Sequence, residues 1–175
     1  MKSQGFTLFE LMICTAVLAI TLGLAIPSLF EQIKTIRTKV ATHELLRAIE
    51  SARTLAVTSN KRSVLLANQN DWEQGWALFI DYNNDGVLNG EETLKQQRKA
   101  LKDIKIHANS HVEEYISFIG TGEGRKIGIE NGGAFQVGTI KICPETSGKG
   151  YALILSRGGR TRIQNLTLAE CAEVI

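Results

Sequence analysis

Over the first sixty positions the apolar pattern changes character once. Residues 6–30, FTLFELMICTAVLAITLGLAIPSLF, are apolar at nearly every position and carry one charge, Glu10. A helix over that stretch would be about 37 Å long, enough to cross a hydrocarbon core of roughly 30 Å. Pro27 near its end predicts a kink or local break, because proline removes a backbone hydrogen bond and clashes with the preceding turn. From residue 31 to 59 the apolar positions fall at spacings of three and four: Ile33, Ile36, Val40, Ala41, Leu45, Ala48, Ile49, Ala52, Leu55 and Ala56. Lys34, Arg37, Lys39, Glu44, Arg47, Glu50 and Arg53 take much of the remaining surface. This is the pattern of an amphipathic helix laid on a sheet, with core contacts from Ala41 onward.

After Ser59-Asn60 the period shortens. Short β-branched and aromatic runs, separated by Gly, Asn and Asp, predict strands at about 63–67, 75–80, 104–107, 115–119, 134–137, 139–143, 151–156 and 160–164. Consecutive strands without intervening helices argue for antiparallel pairing. The expected fold class is therefore α+β, a long amino-terminal helix packed on antiparallel sheet. Residues 60–175 suffice for one small globular domain.

Ahead of the apolar stretch stands only Met1-Lys2-Ser3-Gln4-Gly5, a short basic leader. A secretory signal would have a shorter apolar core and a small-residue cleavage site after it. Here the apolar run continues into the amphipathic segment and is expected to be retained. Gly5-Phe6-Thr7-Leu8-Phe9-Glu10 followed by an apolar helix resembles the class III signal of type IV pilins and type II secretion pseudopilins. The strand order extends the resemblance over the whole chain. Gly75-Trp76-x-Leu78-Phe79-x-Asp81, then Asp85-Gly86 and a Glu before Leu94, is similar to the GspH/FimT branch, and closest to minor pilins of the FimT/FimU type.

The resemblance implies a division into leader (1–5), transmembrane and assembly helix (6–30), amphipathic half-helix (31–59) and periplasmic β-rich domain (60–175). It further implies cleavage after Gly5 by a prepilin peptidase and N-methylation of Phe6. The chain would sit in the inner membrane as a single-pass protein and later join an extracellular pilus with other major and minor pilins. An ionised carboxylate inside hydrocarbon is costly unless paired. The family's answer for Glu10 is the amino group of a neighbouring subunit's Phe6, while a bare physical reading also allows Glu10 to reach the interface. A GspH-like pseudopilin of a type II secretion system is the alternative assignment.

Charge adds a further distinction. The net charge is only +2, but residues 71–92 contain six acids and no base, whereas residues 95–162 hold twelve Lys/Arg against six Asp/Glu. Within the acidic run, Asp81-Tyr82-Asn83-Asn84-Asp85-Gly86 with Glu92 fits the calcium-loop pattern D-x-N-x-D-G-x5-E. Oxygen donors from Asp81, Asn83, Asp85 and Glu92 would suit Ca²⁺. A strand precedes the loop where a calcium-binding hand has a helix, and the same residue types build ordinary acidic turns. Calcium is thus an open alternative to a plain hairpin loop, and no other cofactor is expected.

In the basic run, Ser156-Arg157-Gly158-Gly159-Arg160-Thr161-Arg162 puts Arg160 and Arg162 on one face of a strand. Guanidinium groups suit phosphate bidentately. Gly159-Arg160-x-Arg162 matches the GRxR motif of FimT minor pilins, which implies binding of double-stranded DNA in natural transformation. Arg157 and Lys149 are adjoining candidates, with Lys141, Arg125 and Lys126 further off. Charges guarding a strand edge against aggregation are the plainer reading. Few aromatic residues accompany the patch in sequence, so stacking on single-stranded bases is not expected.

Cys14 lies in the apolar helix, where it acts as a small hydrophobe. Cys143 and Cys171 are expected to pair in an oxidising compartment, and no CxxC or nearby His favours a metal instead. His43, His107 and His111 are scattered, and neither a nucleophile elbow nor a phosphate loop is present. The chain reads as a structural or binding subunit, not an enzyme.

Overall fold

Thr7 begins the fold by capping a helix. Its hydroxyl accepts the Glu10 N–H at 3.2 Å, and the Glu10 carboxylate accepts the Thr7 N–H at 3.1 Å, a reciprocal capping box. Helix α1 (Leu8–Ser59) then runs for 52 residues and ends at Asn60 in a left-handed conformation (φ 50°). The structure, a computed structural model, describes residues 7–90, 92–128, 132–146 and 148–172. The leader and the Gly5–Phe6 junction lie outside the described residues. The helix passes residue 27 without interruption, so the break expected at Pro27 is absent. A proline inside a helix removes one backbone donor, and the helix continues on the bonds of the neighbouring turns.

The two halves of α1 differ as their patterns demand. Leu8, Phe9, Leu11, Leu24 and Phe30 are exposed, an apolar surface of the kind that marks a membrane or partner contact. In the second half Ala41, Leu45, Ala48, Ile49, Ala52 and Ala56 are buried, while Ile33, Ile36 and Val40 remain exposed. Thr38 and Thr42 are buried as well. Their hydroxyls are satisfied by the carbonyls of Lys34 at 3.0 Å and Thr38 at 2.8 Å, so the core stripe extends one turn beyond its apolar members.

Two antiparallel sheets cover that stripe. The first contains β1 (Arg62–Ala67), β2 (Trp76–Asp81), β3 (Thr93–Arg98) and β5 (Tyr115–Phe118) in the order β3-β2-β1-β5. The second contains β4 (Ile104–Ala108), β6 (Gly138–Pro144), β7 (Gly150–Leu155) and β8 (Thr161–Leu166) in the order β4-β6-β7-β8. Leu65, Phe118, Ile140, Ile142, Leu153 and Leu155 pack with the buried face of α1 into one core. The α+β arrangement of long helix on antiparallel sheet is as expected.

Two strand assignments differ. Residues 134–137 form no strand and make only an isolated bridge between Phe135 and Arg125. The reason is Gln136, which is buried and uses its side chain as a cross-brace. Its Oε1 accepts the Ser117 N–H at 2.8 Å and its Nε2 donates to the carbonyls of His111 and Tyr115. Conversely β3, TLKQQR, is an exposed edge strand whose pairing with β2 imposes a form its side chains do not announce. At the carboxyl end, Cys143 on β6 is bonded to Cys171 on α2 (Leu168–Ala172), 28 residues away. In the chain-entropy picture that closure contributes about 3–4 kcal/mol. Thr167 and Glu170 repeat the capping box of the amino terminus. The Thr167 N–H and hydroxyl, with Lys141 nearby, hold the Glu170 carboxyl below its usual range.

Candidate functional site

The turn between β7 and β8 is fixed by backbone. The Ser156 N–H donates to the Arg160 carbonyl at 2.9 Å, and the Gly159 N–H donates to the Ser156 carbonyl at 2.9 Å. Gly159 has φ 72°, and a Cβ there would collide with the Gly122 carbonyl oxygen. That same oxygen accepts the Arg53 Nε–H of α1 at 3.0 Å. The turn is therefore clamped between helix and neighbouring loop, whereas Gly158 faces open space.

Three cations leave this clamp. Arg157, Arg160 and Arg162 are all exposed. On β8, Ile163 packs toward the core, so Arg162, one residue away and opposite Ile154, stands on the other face. Arg160 precedes it by two positions. Among the described residues these three arginines make no ion pair, unlike Arg37 with Asp103, Arg98 with Glu44 and Lys105 with Glu73.

Other cations suggested by sequence sit elsewhere. Lys149 adjoins Gly150, which pairs with Leu166, while the arginines adjoin Leu155 and Thr161 at the opposite end of the same ladder. At 3.3 Å per residue that is about 17 Å away, so Lys149 is not part of the arginine patch. Arg125 is held by Glu123 at 2.9 Å and by the Gly133 carbonyl at 2.9 Å. Lys141 helps to lower the pKa of Glu170, on α2. The neighbourhood does contain an aromatic: Phe135 is 40% exposed, with Arg125 stacked 3.7 Å from its ring centroid and Arg157 at 6.0 Å. Phe135 precedes Arg157 by more than twenty residues, so no local sequence signal tied it to the patch.

A second cluster lies where β2 passes into β3. Asp81, Asp85 and Glu92 bring carboxylate oxygens within 4.8 Å of one another. Asp81 Oδ2 accepts the Gly86 N–H at 3.1 Å and Glu92 Oε2 accepts the Asn89 N–H at 3.0 Å. Asn83, the remaining sequence candidate, is turned onto Asp85: its Oδ1 accepts the Asp85 N–H at 3.1 Å and its Nδ2 donates to Asp85 Oδ2 at 2.7 Å. Gly86 takes φ 71°, a left-handed value that suits the sharp bend. Burial pushes the Asp81 carboxyl up, against the N–H groups of Gly86 and Asn84, with Asp85 raising it further and Arg62 offering the weakest relief. Arg62, opposite Asp81 on β1, is itself buried, which lowers its pKa. Its guanidinium donates to Asn84 Oδ1 at 2.8 Å, Ser117 Oγ at 2.9 Å and the Arg125 carbonyl at 3.1 Å. Sequence reasoning passed over Arg62, since nothing local distinguishes it from an exposed strand-end cation.

The family model described as type II transport protein GspH matches residues 41–159, which takes in β1–β7 and the clamped turn as far as Gly159. The chain belongs to the GspH family. The prokaryotic N-terminal methylation motif matches residues 1–26 of this GspH-family protein. Two crystal structures of the type IV minor pilin FimU from Pseudomonas aeruginosa PAO1 share its fold. One has a TM-score of 0.55 at 21% identity, covering 73% of this chain and 87% of that chain. The other has a TM-score of 0.52 at 21% identity, covering 72% and 91%. No curated protein sequence matches the chain. The GspH-family protein is thus a pilin-like structural subunit rather than an enzyme, and its family membership implies processing at the methylation motif and assembly with other pilins.

Proposed function

We propose that this GspH-family protein is a minor pilin of a type IV pilus whose sheet domain binds double-stranded DNA for natural transformation. The prepilin peptidase cleaves after Gly5 and Phe6 is N-methylated. Residues 6–30 hold the chain in the inner membrane until it enters the pilus, where Glu10 pairs with the amino terminus of a neighbouring Phe6. The observation that carries the DNA reading is the trio Arg157, Arg160 and Arg162, exposed, without ion pairs among the described residues, and displayed from a turn clamped by Gly159 and Gly122.

Such a patch contacts phosphate and reads no sequence. Each neutralised phosphate releases condensed counterions, so affinity falls steeply with salt. Weak binding by one copy gains from several copies in one filament. Replacing Arg160 and Arg162 with Gln in the detergent-solubilised chain is expected to weaken duplex binding about tenfold at low salt. It also makes the log–log salt dependence shallower by about 1.8, two phosphate contacts at roughly 0.9 each. Unchanged affinity and slope would refute the DNA assignment.

The alternative reading is a pseudopilin of a type II secretion system, favoured by the family's own description as a type II transport protein. Deletion separates the two. Loss of piliation and DNA uptake supports the minor pilin, and loss of protein secretion with intact pili supports the pseudopilin.

A further inference from the structure

The β2–β3 loop carries more negative charge than its hydrogen bonds satisfy. Asp81 is 1% exposed and Glu92 is 9% exposed, so both carboxylates are withdrawn from water. Each gives one oxygen to a loop N–H, Asp81 to Gly86 and Glu92 to Asn89. Among the described residues, the other oxygen of each, Asp81 Oδ1 and Glu92 Oε1, is buried with no hydrogen-bond partner. Native proteins rarely leave such acceptors unsatisfied, and an ion is one of the few reasons to do so. The two residues also belong to the set that converges with Asp85 within 4.8 Å. Like charges at that separation, two of them buried, repel one another unless a cation lies between them.

We propose that Asp81, Asp85 and Glu92 form a calcium site that fixes the β2–β3 loop to the body of the domain. The chemistry selects a hard divalent cation, since the donors are carboxylate oxygens with no sulfur or imidazole among them. Calcium is favoured over magnesium because the donors come from one irregular loop, and calcium accepts irregular coordination at 2.3–2.6 Å. Magnesium requires near-ideal octahedral geometry and retains its water. Positions 1, 5 and 12 of the pattern are the ones the fold gathers. Asn83 at position 3 has only to release Asp85 to join them, and Gly86 at position 6 already supplies the bend.

Gly86 lies against Ile127, so the bound loop would be anchored to the segment that also carries Arg125. Calcium therefore orders one edge of the first sheet, where β3 is exposed and free to meet another subunit. Affinity in the range of extracellular calcium modules, a Kd of roughly 10⁻⁴–10⁻³ M, would make the loop ordered outside the inner membrane and loose where calcium is scarce.

The test uses the full chain in detergent, freed of metal with a chelator, and measures calcium binding by calorimetry alongside thermal unfolding. Calcium at about 5 mM, several times the expected Kd, should give a saturable heat and a rise in Tm that magnesium at the same concentration does not reproduce. Asp85 is exposed, so Asp85→Asn should fold normally and lose at least about tenfold in calcium affinity. Asp81→Asn should keep the calcium-free Tm within a few degrees and abolish the calcium-dependent rise. Absence of heat and of any Tm shift overturns the proposal, as does an equal response to magnesium. An Asp85→Asn variant that binds calcium as the parent does overturns it too. None of these readouts depends on DNA.

Discussion

Replacing Glu10 with Gln will leave the protein in the membrane fraction but lower its recovery in sheared filaments by at least about a hundredfold, the scale expected when one partner of a buried ion pair is removed. The choice of Gln matters because Glu10 has two possible employments. In the isolated chain its carboxylate accepts from the N–H and hydroxyl of Thr7, at 3.1 and 3.0 Å, and closes a capping box. Gln serves the capping box nearly as well as Glu. It cannot neutralise an ammonium group. In lipid the residue stands one turn from the helix start, close to the interface, so insertion needs no charge there. In the filament core the amino terminus of the next subunit would be left uncompensated. Glu10→Ala removes both employments and serves as the reference for complete loss. Immunoblotting of sheared pili and of membranes from the same cells reads both quantities. Filaments that contain Glu10→Gln at the parental level would assign the residue to the helix cap and refute the pairing role.

The capping box also shows which information the chain displays openly. Thr7-x-x-Glu10 is a local motif at fixed spacing, so the cap is legible in the sequence itself. The same holds for the core stripe from Ala41 to Ala56, where a 3.6-residue period and burial are two expressions of one fact. Strands rich in Val, Ile, Leu and aromatics, such as β2 and β7, announce themselves because both their pairing and their packing require such residues. What depends on partners distant in sequence does not. β3 is a strand because β2 offers it a ladder. Residues 134–137 are not a strand, because Gln136 bonds to Ser117 and Tyr115 across a gap of about twenty residues. The division into two sheets rests on β4 leaving its sequence neighbours to pair with β6, and no local pattern encodes that choice.

The candidate sites divide along the same line. The GRxR spacing and the D-x-N-x-D-G-x5-E loop are short-range patterns, and both could be found without coordinates. The sequence could not say that Lys149 lies at the wrong end of β7 or that Phe135 reaches Arg157. Nor could it show that two loop carboxylates each bury an unsatisfied oxygen. Proximity decides which charges act together, and proximity is set by register.

The clamped turn yields the second large effect, and adjacent glycines supply its control. Gly159→Ala places a Cβ on a residue with φ 72° and drives it into the Gly122 carbonyl oxygen, which is backbone and already engaged by Arg53. The left-handed conformation costs a non-glycine residue roughly 1–2 kcal/mol, and overpacking against a fixed neighbour adds about 1–3 kcal/mol. A total near 3 kcal/mol corresponds to a fall in Tm of about 10–15 °C for a domain of this size. Gly158→Ala, one residue earlier, meets nothing within 4 Å, and should change Tm by no more than about 2 °C, as surface substitutions do. Below its lowered Tm the Gly159→Ala protein should also bind duplex DNA less tightly, because the turn that aims Arg157 and Arg160 has to shift to admit the methyl group. Gly158→Ala should bind as the parent does. Equal melting of the two variants would mean that the turn yields freely and that the arginines owe their placement to β8 alone.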